Sequence, residues 1–213
     1  MATTVRVNAG RTYGGVSAEE RVTARRAQLL DAGLELFGTR GYLEPGVKDI
    51  CAQAGLTDRY FYESFADKQR LFVEVFDRVT AELFELVGHE VLAAGTKAEA
   101  QLRAAIGAFL NALAEDPRRA RVVFGEASAA GPEADRHMRT TLRQFSALVA
   151  ATARPHLPAG VPDSLIQVFS ISVVGTIDRV VIEWQDGELD LPVDQITESC
   201  VALFRTILAG IAD

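Results

Sequence analysis

Residues 47–68 read VKDICAQAGLTDRYFYESFADK, and the organisation of the rest of the chain follows from them. Val47, Ile50, Cys51 and Ala54 recur at the spacing of one helical face. Ala54-Gly55-Leu56 then interrupts the pattern. Gly55 suits a turn with positive φ, Leu56 can pack into the angle between two helices, and the Thr57 hydroxyl can cap a second helix. In that helix Phe61 and Phe65, four apart, face the core, which leaves Thr57, Arg59, Tyr60 and Tyr62 largely on other faces. Helix, short glycine turn, helix is the DNA-binding helix-turn-helix pattern, whose second helix enters the major groove. Asp67 is placed to cap the next helix. Lys68, in its first turn, opposes the helix dipole, so a bound phosphate would satisfy both amides and ammonium.

Outward from this stretch nearly every segment reads as helix, and no period-2 strand is found. Nine helices are expected near 18–39, 47–54, 58–64, 68–93, 97–115, 117–128, 132–153, 162–186 and 192–211. Ser17-Ala18-Glu19-Glu20 and Thr96-Lys97-Ala98-Glu99 have the form of capping boxes. Asp116-Pro117 and Gly131-Pro132 place proline at a first helical position. Ala27, Leu30, Leu34 and Phe37 form one apolar stripe, and Leu71, Val75, Val79 and Leu83 another. The expected fold is all-α: a flexible basic arm (1–17), a three-helix DNA-binding domain (18–67) and a larger ligand-binding and dimerisation domain (68–213).

The chain has 213 residues, 48% of them hydrophobic and 24% charged, enough to bury a sizeable core. Its net charge of −7 is unevenly spread: residues 1–70 carry ten Lys/Arg against nine Asp/Glu, so the acid lies behind them. Such asymmetry permits a nucleic-acid face. Two distant cysteines, Cys51 and Cys200, exclude a disulfide scaffold and fit a reducing cytoplasm; Cys51 reads as a small core residue. Residues 1–15 lack the apolar region of a secretory signal. The longest uncharged apolar run, Leu165 to Ile177, falls short of the roughly 20 residues that span a bilayer. A cytoplasmic protein without a membrane partner is expected.

Residues 25–76 resemble the N-terminal domain of TetR-type transcriptional regulators. The resemblance rests on Leu30-Asp31-Ala32-Gly33-Leu34-Glu35-Leu36-Phe37, on Gly41-Tyr42, on Val47-Lys48-Asp49-Ile50-Cys51-Ala52, on Ala54-Gly55-Leu56-Thr57, and on Phe61-Tyr62-Glu63-Ser64-Phe65-Ala66-Asp67-Lys68. It implies that Tyr62 and Lys68 contact the DNA backbone, that Thr57, Arg59 and Tyr60 reach bases or nearby phosphates, that Lys48 is a further contact, and that Gly41 turns the chain out of the first helix. Three positions depart from the pattern. Gly46 stands where the family often has a capping threonine, so only its backbone amide remains for a phosphate. Asp58 and Glu63 place acids beside the operator. Asp58 in a first turn reads as dipole stabilisation, roughly 0.3–1 kcal/mol, or as an acceptor for a cytosine amino group; Glu63 reads as a partner of Arg59 at i, i+4. Arg6, Arg11, Arg21, Arg25 and Arg26 are surface charge or contacts of the arm with DNA.

The resemblance also implies a small-molecule effector and a homodimer, probing double-stranded operator DNA with two heads. Residues 165–184 are apolar almost all round, and Ile196, Val201, Leu203, Phe204, Ile207, Leu208 and Ile211 line the last helix. Helices at 162–186 and 192–211 are therefore expected to form the dimer interface. Phe109, Phe124, Phe145 and Phe169 are candidate pocket walls, with His137, Asn111, Glu126, Arg143, Gln144 and Gln167 as polar neighbours. The three histidines are scattered and no metal-ligand cluster, P-loop or GxSxG is present, so no cofactor, metal or enzymatic activity is expected. The function this favours is a ligand-responsive repressor on a palindromic operator. The competing reading is a helical small-molecule-binding protein with an inactive DNA-binding head.

Overall fold

A computed structural model describes residues 17–212 apart from residue 128. The expected arm, with Arg6 and Arg11, thus lies almost wholly outside the described residues. Those residues form nine α-helices and no strand: α1 (Ala18–Arg40), α2 (Val47–Ala54), α3 (Asp58–Ser64), α4 (Lys68–Ala93), α5 (Ala98–Glu115), α6 (Pro117–Ala120), α7 (Pro132–Ala153), α8 (Asp163–Gln185) and α9 (Val193–Ala212). A π turn, Arg121–Gly125, continues α6, and a 3-10 turn, Arg154–His156, ends α7.

Local chemistry sets most of these boundaries. Ser17 Oγ accepts from the Glu20 amide at 3.1 Å while the Glu20 carboxylate accepts from the Ser17 amide at 2.6 Å, the expected reciprocal box. The hydrogen bond from the Ser17 backbone holds the Glu20 carboxyl below its usual range. Asp67 accepts from the Arg70 amide and starts α4; Asp116 accepts from the Arg118 amide behind Pro117. The box expected at Thr96 does not form. Lys97 is the N-cap of α5 and makes no side-chain cap. Glu99 is drawn instead to Arg103 at 3.2 Å and Arg205 at 3.5 Å. The sixth helix is also shorter than 117–128, because the π turn widens the coil after Ala120 and Gly125 ends it.

The buried face of α1 is Leu29, Ala32, Gly33, Leu36 and Phe37, turned from the expected stripe; Ala27 is exposed and Leu30 and Leu34 lie on its flank. Small residues decide this rotation. A Cβ on Gly33 would lie 2.9 Å from Val75 Cγ2, so Ala32 and Gly33 let α1 approach α4 where a larger face could not. Along α4, Leu71, Val75, Val79 and Leu83 are all buried as their spacing predicts. The first half of α4 packs on α1 and its length carries on to α5; α5 also packs on α9, and α7 on α8. One core runs from head to body.

Two long helices remain only half covered. α8 has a mean hydropathy of 1.7 over its most apolar window, long and apolar enough by composition to cross a bilayer, yet 28% of that window is buried in the chain. Leu165, Val168 and Ile171 on α8 and Leu203 and Ile207 on α9 are exposed, Val168 at 61%.

Candidate nucleic-acid interface and apolar cavity

The turn between α2 and α3 has the geometry its sequence demands. Gly55 sits at φ +65°, ψ +30°, and Leu56 packs against the core. Phe61 and Phe65 are buried and fix the roll of α3. That roll brings Thr57, Arg59 and Tyr62 to the surface, Tyr62 at 62% exposure with its ring edge against Phe61 at 5.3 Å. Lys48 is exposed on α2.

Thr57 has N-cap backbone but no cap hydrogen bond from its hydroxyl, which corrects the capping expected of it. Arg59 donates from Nε to Glu63 at 2.8 Å, and this bond raises its pKa further. The pairing holds the side chain along the helix and leaves its two terminal nitrogens to donate. Tyr60 is half-buried beneath the Arg25 guanidinium, 4.3 Å from its ring centre.

Lys68 has structural work as well. Its Nζ donates to the Tyr42 carbonyl at 2.8 Å and the Pro45 carbonyl at 3.1 Å, and lies 4.3 Å from the Tyr42 ring centre. Burial holds its pKa below the ordinary lysine value. Two of its three N–H groups thus fasten the loop between α1 and α2, and one remains. Similarly, the Gly46 amide donates to Asp49 Oδ2 at 2.8 Å rather than standing open. Arg26, expected as surface charge or an arm contact, holds the head together: it donates to the Ser64 carbonyl at 3.0 Å, pairs with Glu74 and lies over Phe65 at 4.4 Å. Asp58 faces the Cys51 thiol. Burial first, then Asp58, pushes that thiol up to about 11, as suits a core cysteine.

The body encloses a cavity of about 150 Å³, roughly ten times what one water needs by the same measure. Phe109, Phe124, Phe145 and Phe169 all line it. The Phe109 ring meets Phe124 and Phe145 edge-on at 6.2 and 5.9 Å, and Phe145 stacks on Phe84 at 3.8 Å. His137 does not line it: its Nδ1 lies 3.1 Å from Asp77 Oδ1, binding α7 to α4. Asn111, Glu126, Arg143, Gln144 and Gln167 are also absent from the wall. The polar groups present are Gln101, Thr141, Thr152, His156 and Asp178, with no lysine or arginine. Gln101 had a readable signal, since Ala98, Gln101, Leu102, Ala105 and Phe109 share one helical face.

The wall and the head meet at the π turn. Val123 and Phe124 line the cavity. From the same turn Arg121 donates to the Thr39 carbonyl at 2.7 Å, and Glu126 accepts from the Tyr42 amide at 2.8 Å. Arg118 reaches Glu35 at 2.6 Å. Gly41, at φ +83°, lets α1 end here: a Cβ would lie 2.9 Å from Glu126 Oε1. The sequence carries no local sign of these contacts.

Comparison with known proteins locates this architecture. The transcriptional activator FasR of Mycolicibacterium smegmatis is 34% identical over 100 residues, 47% of this chain and 45% of FasR, so the match spans less than half of that relative. The fatty acid metabolism regulator protein of Bacillus subtilis is 24% identical over 168 residues, 77% of this chain and 86% of that one. The solved structure of the transcriptional regulator FadR from Bacillus subtilis in complex with stearoyl-CoA superposes with a TM-score of 0.70 at 20% identity, covering 84% of this chain and 96% of that one, a likeness of fold. Residues 29–75, from the buried face of α1 through the helix-turn-helix to the start of α4, match the family model described as bacterial regulatory proteins, tetR family.

Proposed function

We propose that the chain is a ligand-responsive transcriptional regulator: a homodimer that holds a palindromic operator and leaves it when an apolar small molecule fills the cavity. The observation that carries this reading is the π turn, one element that walls the cavity and grips the end of α1. π turns concentrate at functional sites. A ligand that displaces Phe124 must disturb the Arg121–Thr39 and Glu126–Tyr42 bonds, and so the head's pose. The resulting change in DNA affinity equals the ligand's differential affinity for the two poses.

We assign DNA contacts to Lys48, Thr57, Arg59, Tyr60 and Tyr62, with the spare N–H of Lys68 as a sixth. The assignment is supported by the exposure of most of them and by Arg25 steadying Tyr60. Of the two acids on α3, Glu63 is paired with Arg59 and Asp58 lies exposed in the first turn, where it favours the helix dipole. The dimer is assigned to α8 and α9, where Leu165, Val168, Ile171, Leu203 and Ile207 stand exposed and need cover. Two symmetric heads then meet half-sites about one helical turn apart, or a multiple of it. We place the DNA-binding domain at 18–67 and the ligand-binding and dimerisation domain at 68–213, joined through α4 and the π turn. The wall composition fits a long apolar chain, and the FadR structure from Bacillus subtilis was solved with stearoyl-CoA. The test is selection of genomic fragments on the purified protein at moderate salt, repeated with acyl-chain ligands. An enriched palindrome lost on adding ligand is the expected result; no enrichment by a folded dimer would overturn the reading in favour of a binding protein with an inactive head.

A further inference from the structure

Asp178 is the one carboxylate on the cavity wall, half-buried on α8 beside Ile177 and one turn beyond Val174. Among the described residues it forms no ion pair or hydrogen bond. Its neighbour Arg179 pairs with Glu183, and no lysine or arginine lines the cavity. Burial raises its carboxyl above the usual range, with Arg179 opposing. Two other polar groups on the wall have partners, since Gln101 donates to the Gly95 carbonyl at 2.7 Å and its Oε1 lies 3.0 Å from His156 Nε2, while Thr141 and Thr152 are uncharged hydroxyls. Asp178 is the one carboxylate among these polar groups, and no hydrogen bond to it forms among the described residues.

Resting on the reading that the cavity holds the effector, we propose that Asp178 sets its specificity: it accepts a hydrogen bond from a hydroxyl or amine on an otherwise apolar ligand and rejects free carboxylates. A chain without a donor, lying across Asp178, strips the carboxylate of water and returns nothing. A hydroxyl or ammonium restores the bond in charge-assisted form. A second carboxylate adds like-charge repulsion in an apolar surround that screens it poorly. A missing donor against a buried acceptor discriminates far more sharply than an added methylene does.

The experiment measures displacement of N-phenyl-1-naphthylamine from the full-length protein at pH 8, above the range in which histidine ordinarily carries charge. The competitors are 1-dodecanol, dodecylamine, the methyl ether of dodecanol and dodecanoate, each tested on wild type, Asp178→Leu and Asp178→Asn. The preference for alcohol and amine over ether and dodecanoate should be at least about tenfold greater in wild type than in Asp178→Leu. Asp178→Asn, nearly isosteric, should keep the alcohol and admit dodecanoate, because its amide both accepts and donates. Equal preferences in wild type and both variants would overturn the inference. So would a variant that alters only the oligomeric mass, which would place Asp178 at a subunit contact. Failure of every chain to displace the dye from any of the three proteins would instead remove the cavity as effector site, and the ligand-responsive reading with it.

Discussion

Replacing Glu126 by alanine should loosen the head from the body and lower the stability of the whole chain. The Glu126 side chain is 14% exposed, takes the Tyr42 amide at 2.8 Å and the Arg121 Nε at 3.2 Å, and bridges residues 84 apart in sequence. A hydrogen bond to a charged group contributes about 1.5–3 kcal/mol, and its removal strands the Tyr42 N–H in a half-buried loop. Arg121 keeps the Thr39 carbonyl, so its own loss is partial. The net cost is about 2 kcal/mol, which for a chain of this size lowers Tm by about 4–8 °C. Glu126→Gln retains an acceptor at the same place and should lose less than half as much. The assay is thermal unfolding followed by circular dichroism, with all variants at one protein concentration because Tm of the proposed dimer would depend on concentration. A Glu126→Ala protein that melts within about 1 °C of wild type, or a Gln variant as unstable as the Ala variant, would refute the bridging role. Operator binding read in parallel should show a smaller ligand effect in Glu126→Ala, since the π turn then holds α1 through Arg121 alone, with Arg118 of α6 beside it.

Arg59→Ala together with Tyr62→Phe should weaken operator binding without lowering Tm, and loss of the Arg59 charge from a phosphate should flatten the log–log salt dependence by about 0.9, the neutral Tyr62 hydroxyl adding nothing to the slope; binding and slope unchanged in a salt titration would remove α3 from the interface. Lys68→Met should lower both Tm and DNA affinity, because Lys68 fastens the Tyr42–Pro45 loop; a loss of affinity with an unchanged melting curve would leave it only a phosphate contact. Cys51 should resist iodoacetamide at pH 8, where a thiol at about 11 is ionised in about one molecule in a thousand. Because its folded value lies above the unfolded 9.0, its contribution to stability is complete below pH 9 and is lost as pH rises towards 11; fast native-state alkylation at pH 8 would contradict this burial. Val168→Asp, on the exposed face of α8, should yield a folded monomer by light scattering, and an intact dimer would move the interface elsewhere.

Much of what is decided within a few residues was legible in the sequence, although the caps expected of Thr57 and Thr96 do not form and α6 stops short of 128. Ser17 with Glu20, Asp67 and Asp116 each cap a helix from within the adjoining turn, and Gly55 and Gly41 take the positive φ their turns require. The spacing of Phe61 and Phe65 set which face of α3 is buried, and with it the outward face that carries the candidate contacts. Helix boundaries, the all-α class and the helix-turn-helix follow because caps, φ preferences and apolar periods act over one or two turns. The four phenylalanines of the cavity wall were readable for the same reason, since large aromatic rings on inward faces must end in core or pocket.

The tertiary structure decided what depends on partners far along the chain. The period of α1 allowed neighbouring faces, and close approach of Val75 to Gly33 selected one of them. His137 reads as a pocket polar group until Asp77, sixty residues earlier, takes its ring nitrogen. Lys68 reads as a phosphate anchor alone, and only the fold adds the Tyr42 and Pro45 carbonyls that take two of its donors. The grip of Arg121 and Glu126 on the end of α1 has no local trace at all. Sequence determines which conformations a segment prefers, because those energies are local. Which polar side chains meet is fixed only once the core has brought distant segments within about 3 Å, the range over which a hydrogen bond acts.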